Sequence, residues 1–290
     1  METLLTGSNI LILKRHRGFK KGTLKYKIMY RGFNLKIKLN DSLVESYKDQ
    51  GLSIQEKYKS NILDKFKDVV RESHQLDAAK IESLFFPQIE ADIFISNSHK
   101  NVDEVMALAG FLNWKFSLKV FVDSCVWESV RNLQKILDDK YSWTNYEKRS
   151  YSYVAVGKSA SHAHMMLSVA LSRMINTTEC IFFYNTPESI TPFNNTDSTT
   201  SPWIYSEIAL TQIIQKRIPQ RRKGQETKLF TERGYINESL ELHYQADLGH
   251  LSPLNAQDFN AWIDKVVNTP QKALDALYDM IPLPTKPHLI

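Results

Sequence analysis

Cysteine is nearly missing from this chain: Cys125 and Cys180 are the two in 290 residues. That excludes a disulfide framework and fits a reducing compartment. Cys180 sits in an apolar run and reads as a small buried hydrophobe. Glycine and proline are also scarce, ten of each, which excludes collagen-like and low-complexity classes. No apolar run approaches membrane-spanning length, and the short ILIL stretch near the start is too brief for a secretory core. The expected location is the cytoplasm, with no membrane partner. Neither a Walker pattern nor GxGxxG occurs, which disfavours a nucleoside triphosphatase and a redox dinucleotide fold. No internal repeat is visible.

Hydrophobic residues make up 42% of the chain, enough to bury a real core in one large domain or a domain with additions. Charge is uneven. Residues 1–40 carry ten Lys or Arg and one acid, Glu2, so they hold +9 while the remainder is −4, against +5 overall. Such a segment could touch nucleic acid or an acidic partner. Its basic residues alternate with strand formers and form no cluster with stacking aromatics. A solvated edge hairpin protected by lysines is the favoured interpretation, and nucleic acid is not an expected partner.

Residues 8–40 read as short strands (NILIL, TLKYKIMY, FNLKIKL) with turns at Gly18, Gly22 and Gly32. Leu43 to Leu84 reads mainly helical, with Ile62, Phe66, Val69 and Val70 at helical spacing. Strand and helix then alternate. Strand ADIFIS ends at Ser96 and leads through NSHKN into a helix whose Val102, Val105, Met106, Ala109, Leu112 and Phe116 share a face. Strand LKVFVD ends at Asp123. Helix SVALSRMIN, strand ECIFFYN ending at Asn185, and helix PWIYSEIALTQIIQ follow. This order predicts an α/β fold with an open, doubly wound parallel sheet. KLFTERG is a candidate last strand, and helices are expected around Asp258–Val267 and Pro270–Met280, the second capped by Thr269. The expected organisation is an N-terminal extension over 1–88, a core domain over 89–250 with an insertion at about 128–164, and C-terminal helices over 251–290. The aromatic, polar insertion either covers the ligand edge or is a structural elaboration.

Open parallel sheets bind ligands beyond the carboxyl ends of their strands. There the three core strands offer Ser96, Asp123 and Asn185, followed by NSHK, SCVW and TPES: hydroxyls and amides with few fixed charges. That suits a nucleotide or sugar phosphate better than an apolar ligand. Glu207 is the sharpest candidate. Ser201 can cap its helix, Pro202 fits the first turn, and Trp203 shares its face four residues earlier. An aromatic neighbour can raise the pKa of such a carboxyl. His162 and His164 lack partners at metal-ligand spacing and read as residues near a helix start that cap or line the site. Met165, Met166 and Met174 read as core, and Asp138, Asp139 and Glu147 as solvated.

Taken in order, ADIFISNSHK, LKVFVDSCVW and SPWIYSEIA resemble a Toll/interleukin-1 receptor (TIR) domain over roughly Glu90 to Lys216, less the insertion. The variety resembled is the bacterial stand-alone TIR protein of Thoeris-type antiphage defence. The resemblance implies a flavodoxin-like sheet with helices on both faces. It implies an NAD+ glycohydrolase or ADP-ribosyl cyclase that cleaves NAD+ at the nicotinamide–ribose bond and makes a cyclic or modified ADP-ribose signal in antiphage defence. NAD+ would be the substrate, with no separate cofactor and no metal. Glu207 falls on the catalytic glutamate. Ser96, Ser98 and His99 fall in the first-strand loop that lines the nucleotide site, Asp123, Ser124 and Trp127 at the second strand's end and the loop known as BB, and Trp203 on the preceding aromatic position. The chain departs from similar proteins at Asn97, Asn101 and Glu128. Self-association and a downstream effector that senses the product are the implied partners. The alternative is a non-catalytic TIR adaptor, and a nucleoside deoxyribosyltransferase is a third possibility.

Nicotinamide leaves NAD+ as a neutral group, so no general acid is needed and one carboxylate against the ribose suffices, unlike the two-carboxyl glycosidases.

Overall fold

A computed structural model describes residues 29–59, 77–86, 88–145, 147, 150–193, 196–222 and 243–283; for 57–59 and 125–128 it describes the backbone alone. The expected strands NILIL and most of TLKYKIMY, the helical run with Ile62 to Val70, and KLFTERG lie outside the described residues.

Five parallel strands form the central sheet: β1 (Arg31–Lys36), β2 (Ile93–Ser96), β3 (Val120–Val122), β6 (Cys180–Tyr184) and β10 (Ser252–Asn255). They lie side by side in the order β10-β1-β6-β2-β3. β2, β3 and β6 are buried at every position, which is why each reads as a continuous apolar run rather than an alternating one. Alternate residues feed two cores. Phe33, Ile93, Ile95, Val120 and Phe182 face helices α1 (Asp41–Lys59), α3 (Val102–Phe116), α7 (Ala256–Ile263) and α8 (Pro270–Met280). Phe94, Phe121 and Ile181 face α2 (Ala78–Phe85), α4 (Ser124–Tyr141), α5 (Tyr153–Thr177) and α6 (Pro202–Ile213). A hairpin, β4 (Trp143–Asn145) with β5 (Ser150–Tyr151), joins α4 to α5. A small antiparallel sheet of β7 (Thr191–Phe193), β8 (Thr196–Thr199) and β9 (Tyr244–Gln245) borders α6. The fold is α/β, a parallel sheet flanked by helices on both faces, compatible with a flavodoxin-like arrangement.

Several features differ from the expectations. β1 is neither an edge hairpin nor part of an appendage: it lies between β6 and β10, in register with both. Its basic first residue is accommodated because the buried Arg31 guanidinium donates to Ser252 Oγ at 2.6 Å and the Ile281 carbonyl at 2.9 Å, and lies over the Phe33 and Tyr278 rings. Gly32 falls inside this strand rather than in a turn, and a Cβ there would come within 2.5 Å of the Leu251 side chain. The expected C-terminal part likewise contributes β10 to the same sheet. β3 runs into α4 at Ser124 with no intervening loop, so the BB-type loop implied at Asp123–Trp127 is replaced by a first helical turn. Most of the expected insertion is helix packed on the sheet through Val130, Leu133, Leu137 and Ala163. Asp138 is buried and accepts the Ser142 hydroxyl at 2.9 Å rather than being solvated. Met165 is exposed, not core, and His162 and His164 lie well inside α5 rather than at a helix start.

The helix α3 is buried nearly all round because α1 lies across its outer side. The two backbones touch at paired glycines. A Cβ on Gly51 would sit 1.9 Å from the Met106 carbonyl oxygen, and one on Gly110 2.2 Å from that of Tyr47. Neither oxygen can move without breaking its helix. Gly110→Ala is expected to force the helices apart and lower stability by about 1–3 kcal/mol, read as an earlier urea midpoint. An unchanged midpoint would show that the pair has room to spread.

Candidate active site

The chain leaves β2 into α3 on one face of the sheet and leaves β6 for α6 on the other, although β2 and β6 are neighbours. Their carboxyl ends therefore flank the point where the connections diverge, the position at which open α/β sheets form a ligand crevice. The rim is tied across that point: Thr186, just after β6, donates its hydroxyl to Asn101 Oδ1, in the turn after β2, at 2.7 Å.

Helix α6 delivers one acid to this place. Ser201 starts the helix by accepting the Ile204 N–H at 3.3 Å, with Pro202 in the first turn. The rotation so fixed buries Ile204, Glu207, Ile208 and Thr211. His250 holds the same helix one turn further on. The Thr211 hydroxyl donates to the Ile208 carbonyl, so the His250 Nε2–H, 2.7 Å away, donates to Thr211 and Nδ1 accepts from the Gln212 amide at 3.3 Å. Burial, with Lys216 nearby, pushes His250 down to about 4, keeping it neutral. Thr211 and His250 are thus a structural clasp, with the hydroxyl proton already engaged.

Glu207 is 2% exposed and Asp123 is 0% exposed, and the two carboxyls are in hydrogen-bonding contact. Ser96, the last residue of β2, donates its hydroxyl to Glu207 Oε2 at 2.5 Å. Asp123 follows β3 directly; its own N–H is held by the Ile95 carbonyl at 3.1 Å, and its Oδ2 receives the Asn97 N–H at 3.5 Å. Each carboxyl keeps one oxygen, Glu207 Oε1 and Asp123 Oδ1, that meets no N–H or O–H donor among the described residues. Contact between the carboxyls is therefore a hydrogen bond only when one of them carries a proton. Burial pushes Glu207 up to about 7, against the opposing effects of the Ser96 and Asp123 hydrogen bonds. Burial, then the Glu207 charge, drives Asp123 well above the ordinary carboxylate range. Asn97 Oδ1 and Ser124 Oγ are also buried without a partner among the described residues. Five residues from three chain segments so form one buried cluster rich in hydrogen-bond acceptors, the chemistry that suits hydroxyl donors and positive charge.

The other expected site residues are placed differently. Ser98 caps the 3-10 turn His99–Asn101 through a long 3.4 Å contact from the Lys100 N–H. His99 is exposed, and its pKa is lowered by partial burial and by Arg131. Trp203 is half-buried one turn before Glu207 and packs against His164, ring centroids 5.5 Å apart. Trp127 lies on α4, with its side chain outside the described residues. Asn97 was not singled out as a site residue, although its place immediately after Ser96 at a strand end was the available signal. The contact between Asp123 and Glu207 had no local signal. Among the described residues no group of three or more His, Cys, Asp or Glu is placed to hold a metal ion, and no helix is long and apolar enough to cross a membrane.

Fold and site together define an α/β protein with a buried acid pair at the ligand edge of a parallel sheet. The chain matches no family model, and neither curated proteins nor solved structures give a significant match.

The native state holds the Glu207 proton to about pH 7, whereas the unfolded chain releases it in the ordinary carboxylate range. Unfolding then releases this proton between those limits, and stability falls as pH rises through the window; Glu207 contributes at most about 1.4 kcal/mol per pH unit, and Asp123, also held protonated by burial, adds to the decline in the same direction. Glu207→Gln, which keeps an acceptor for Ser96, is expected to make this decline shallower by the Glu207 share when urea midpoints are followed from pH 5 to 8. Parallel curves for the two proteins would contradict the assignment.

Proposed function

We propose that this protein is a TIR-type enzyme that cleaves NAD+ at the nicotinamide–ribose bond, with Glu207 as the catalytic carboxylate. The observation that carries the proposal is the burial of Glu207 against Ser96 and Asp123 at the carboxyl end of β2, where the connections of neighbouring strands diverge. A docking role for this face would leave two desolvated carboxyls at the ligand edge unaccounted for.

The chemistry follows from a single anionic carboxylate. The C1′–N bond breaks with its electron pair going to nicotinamide, which departs neutral and needs no proton. Positive charge develops on the ribose, and a carboxylate in a low-dielectric site, fixed beforehand by Ser96, stabilises it. The Glu207 carboxylate and the Asn97 side-chain oxygen accept hydrogen bonds from the ribose hydroxyls. The nucleophile decides the product: water, which gives up a proton, yields ADP-ribose, an atom of the same molecule yields a cyclic form, and a second small molecule yields a conjugate. The sheet order supports a flavodoxin-like scaffold for this chemistry in an adapted form. Strands β3-β2-β6 follow its spatial sequence, and the N-terminal β1 takes the next position.

The test is the rate of nicotinamide release from NAD+. The wild-type chain is expected to release it, and Glu207→Gln to be slower by at least about 100-fold while remaining folded. Equal rates for the two proteins would remove Glu207 from the mechanism.

A further inference from the structure

The two-carboxyl contact asks more of Asp123 than a place in the lining. Its backbone is pinned on both sides, by the Ile95 carbonyl before it and by the start of α4 after it. Its Oδ2 receives the Asn97 N–H at 3.5 Å, and the Ser124 amide lies close enough to favour the carboxylate. Being fully buried and held by backbone, the side chain cannot turn to water. Glu207 faces it from a helix fixed at both ends, by the Ser201 cap and the His250 clasp. Two carboxylates in contact in so dry a place cannot both ionise, because their repulsion is not screened. One proton must stay with the pair until the pH is well above neutral.

We propose that Asp123 is a positioning residue for Glu207: it retains that proton, donates it to Glu207, and leaves the crevice with one oriented carboxylate instead of two competing charges. This rests on the reading of Glu207 as the catalytic carboxylate. The surroundings favour that division. Glu207 has the short hydrogen bond from Ser96, which suits an anion. Burial and then Glu207 keep the proton on Asp123, and outweigh the Asn97 and Ser124 amides, which favour its anion; on Glu207 burial is opposed by Ser96 and Asp123, which favour the anion there. From α5, His164 is engaged with the Trp203 ring, and in the turn after β2 His99 is under the influence of Arg131. Asp123 thus does for a buried glutamate what a backbone donor could not: it supplies a hydrogen bond and, by ionising at high pH, withdraws it.

Two readouts test this. Infrared difference spectra of the ligand-free protein at pH 8, wild type minus Asp123→Asn, are expected to show the C=O band of a protonated carboxylic acid; its absence would overturn the proposal whether or not NAD+ is the substrate. For NAD+ turnover, the wild-type pH profile is expected to be bell-shaped. Asp123→Asn, whose amide still donates to Glu207, should keep the acid limb near pH 7 and lose the alkaline limb. Asp123→Ala, which cannot donate, should lose about 10- to 100-fold in kcat with little change in KM. An alkaline limb that survives in Asp123→Asn, or Asn and Ala variants with the same kcat, would contradict it. If no protein in the series cleaves NAD+, the functional proposal fails, and the infrared band alone decides the role of Asp123.

Discussion

The contact between Glu207 and Asp123, completed by Ser96, is the constraint on which the rest of the site depends. Two buried carboxyls in contact are a cost to the fold, since each must leave water and neither can be charged freely beside the other. They persist because three elements meet there: the end of β2, the start of α4, and the face of α6. Each is held by ordinary structural devices, namely strand pairing to β6, the straight passage from β3 into helix, and the Ser201 cap with the His250 clasp. The scaffold is rigid where the site is strained in charge, as expected of a preorganised electrostatic site.

The sheet achieves this with an unusual path. β1 comes from the N-terminal part of the chain and lies beside β6, while β10, from the C-terminal part, closes that edge. Arg31 links the two ends, bridging β10 at Ser252 to the carbonyl of Ile281 just after α8. Nearby, Arg221 grips Glu179, before β6, and Asp275 on α8. These ties join the ends of the chain to the amino ends of the strands, opposite the acid pair. Stability and ligand edge are thus handled at different ends of the sheet.

What the sequence made legible was local. Continuous apolar runs marked β2, β3 and β6 because strands covered on both faces need no polar positions. Ser201–Pro202 and Thr269–Pro270 marked two helix starts because a capping hydroxyl followed by proline is a local solution to unpaired amides. Non-local pairing left little trace. β1 read as an edge strand because its basic start and Gly32 are edge and turn signals; only the distant Ser252, Ile281 and Leu251 explain them. Asp123 was visible as a polar strand end, but its partner on α6 is a matter of packing across the sheet. Asp138 and Met165 were misjudged for a related reason: Ser142 buries the acid, and the turn of α5 that carries Met165 faces outward.

The central claim is that Glu207, in this acid pair, serves to break the bond between nicotinamide and ribose. Mass spectrometry of NAD+ incubated with the purified protein tests it most directly. The account predicts free nicotinamide together with an equimolar ADP-ribosyl product, whether linear, cyclic or conjugated. Intact NAD+ after prolonged incubation at high protein concentration would contradict it.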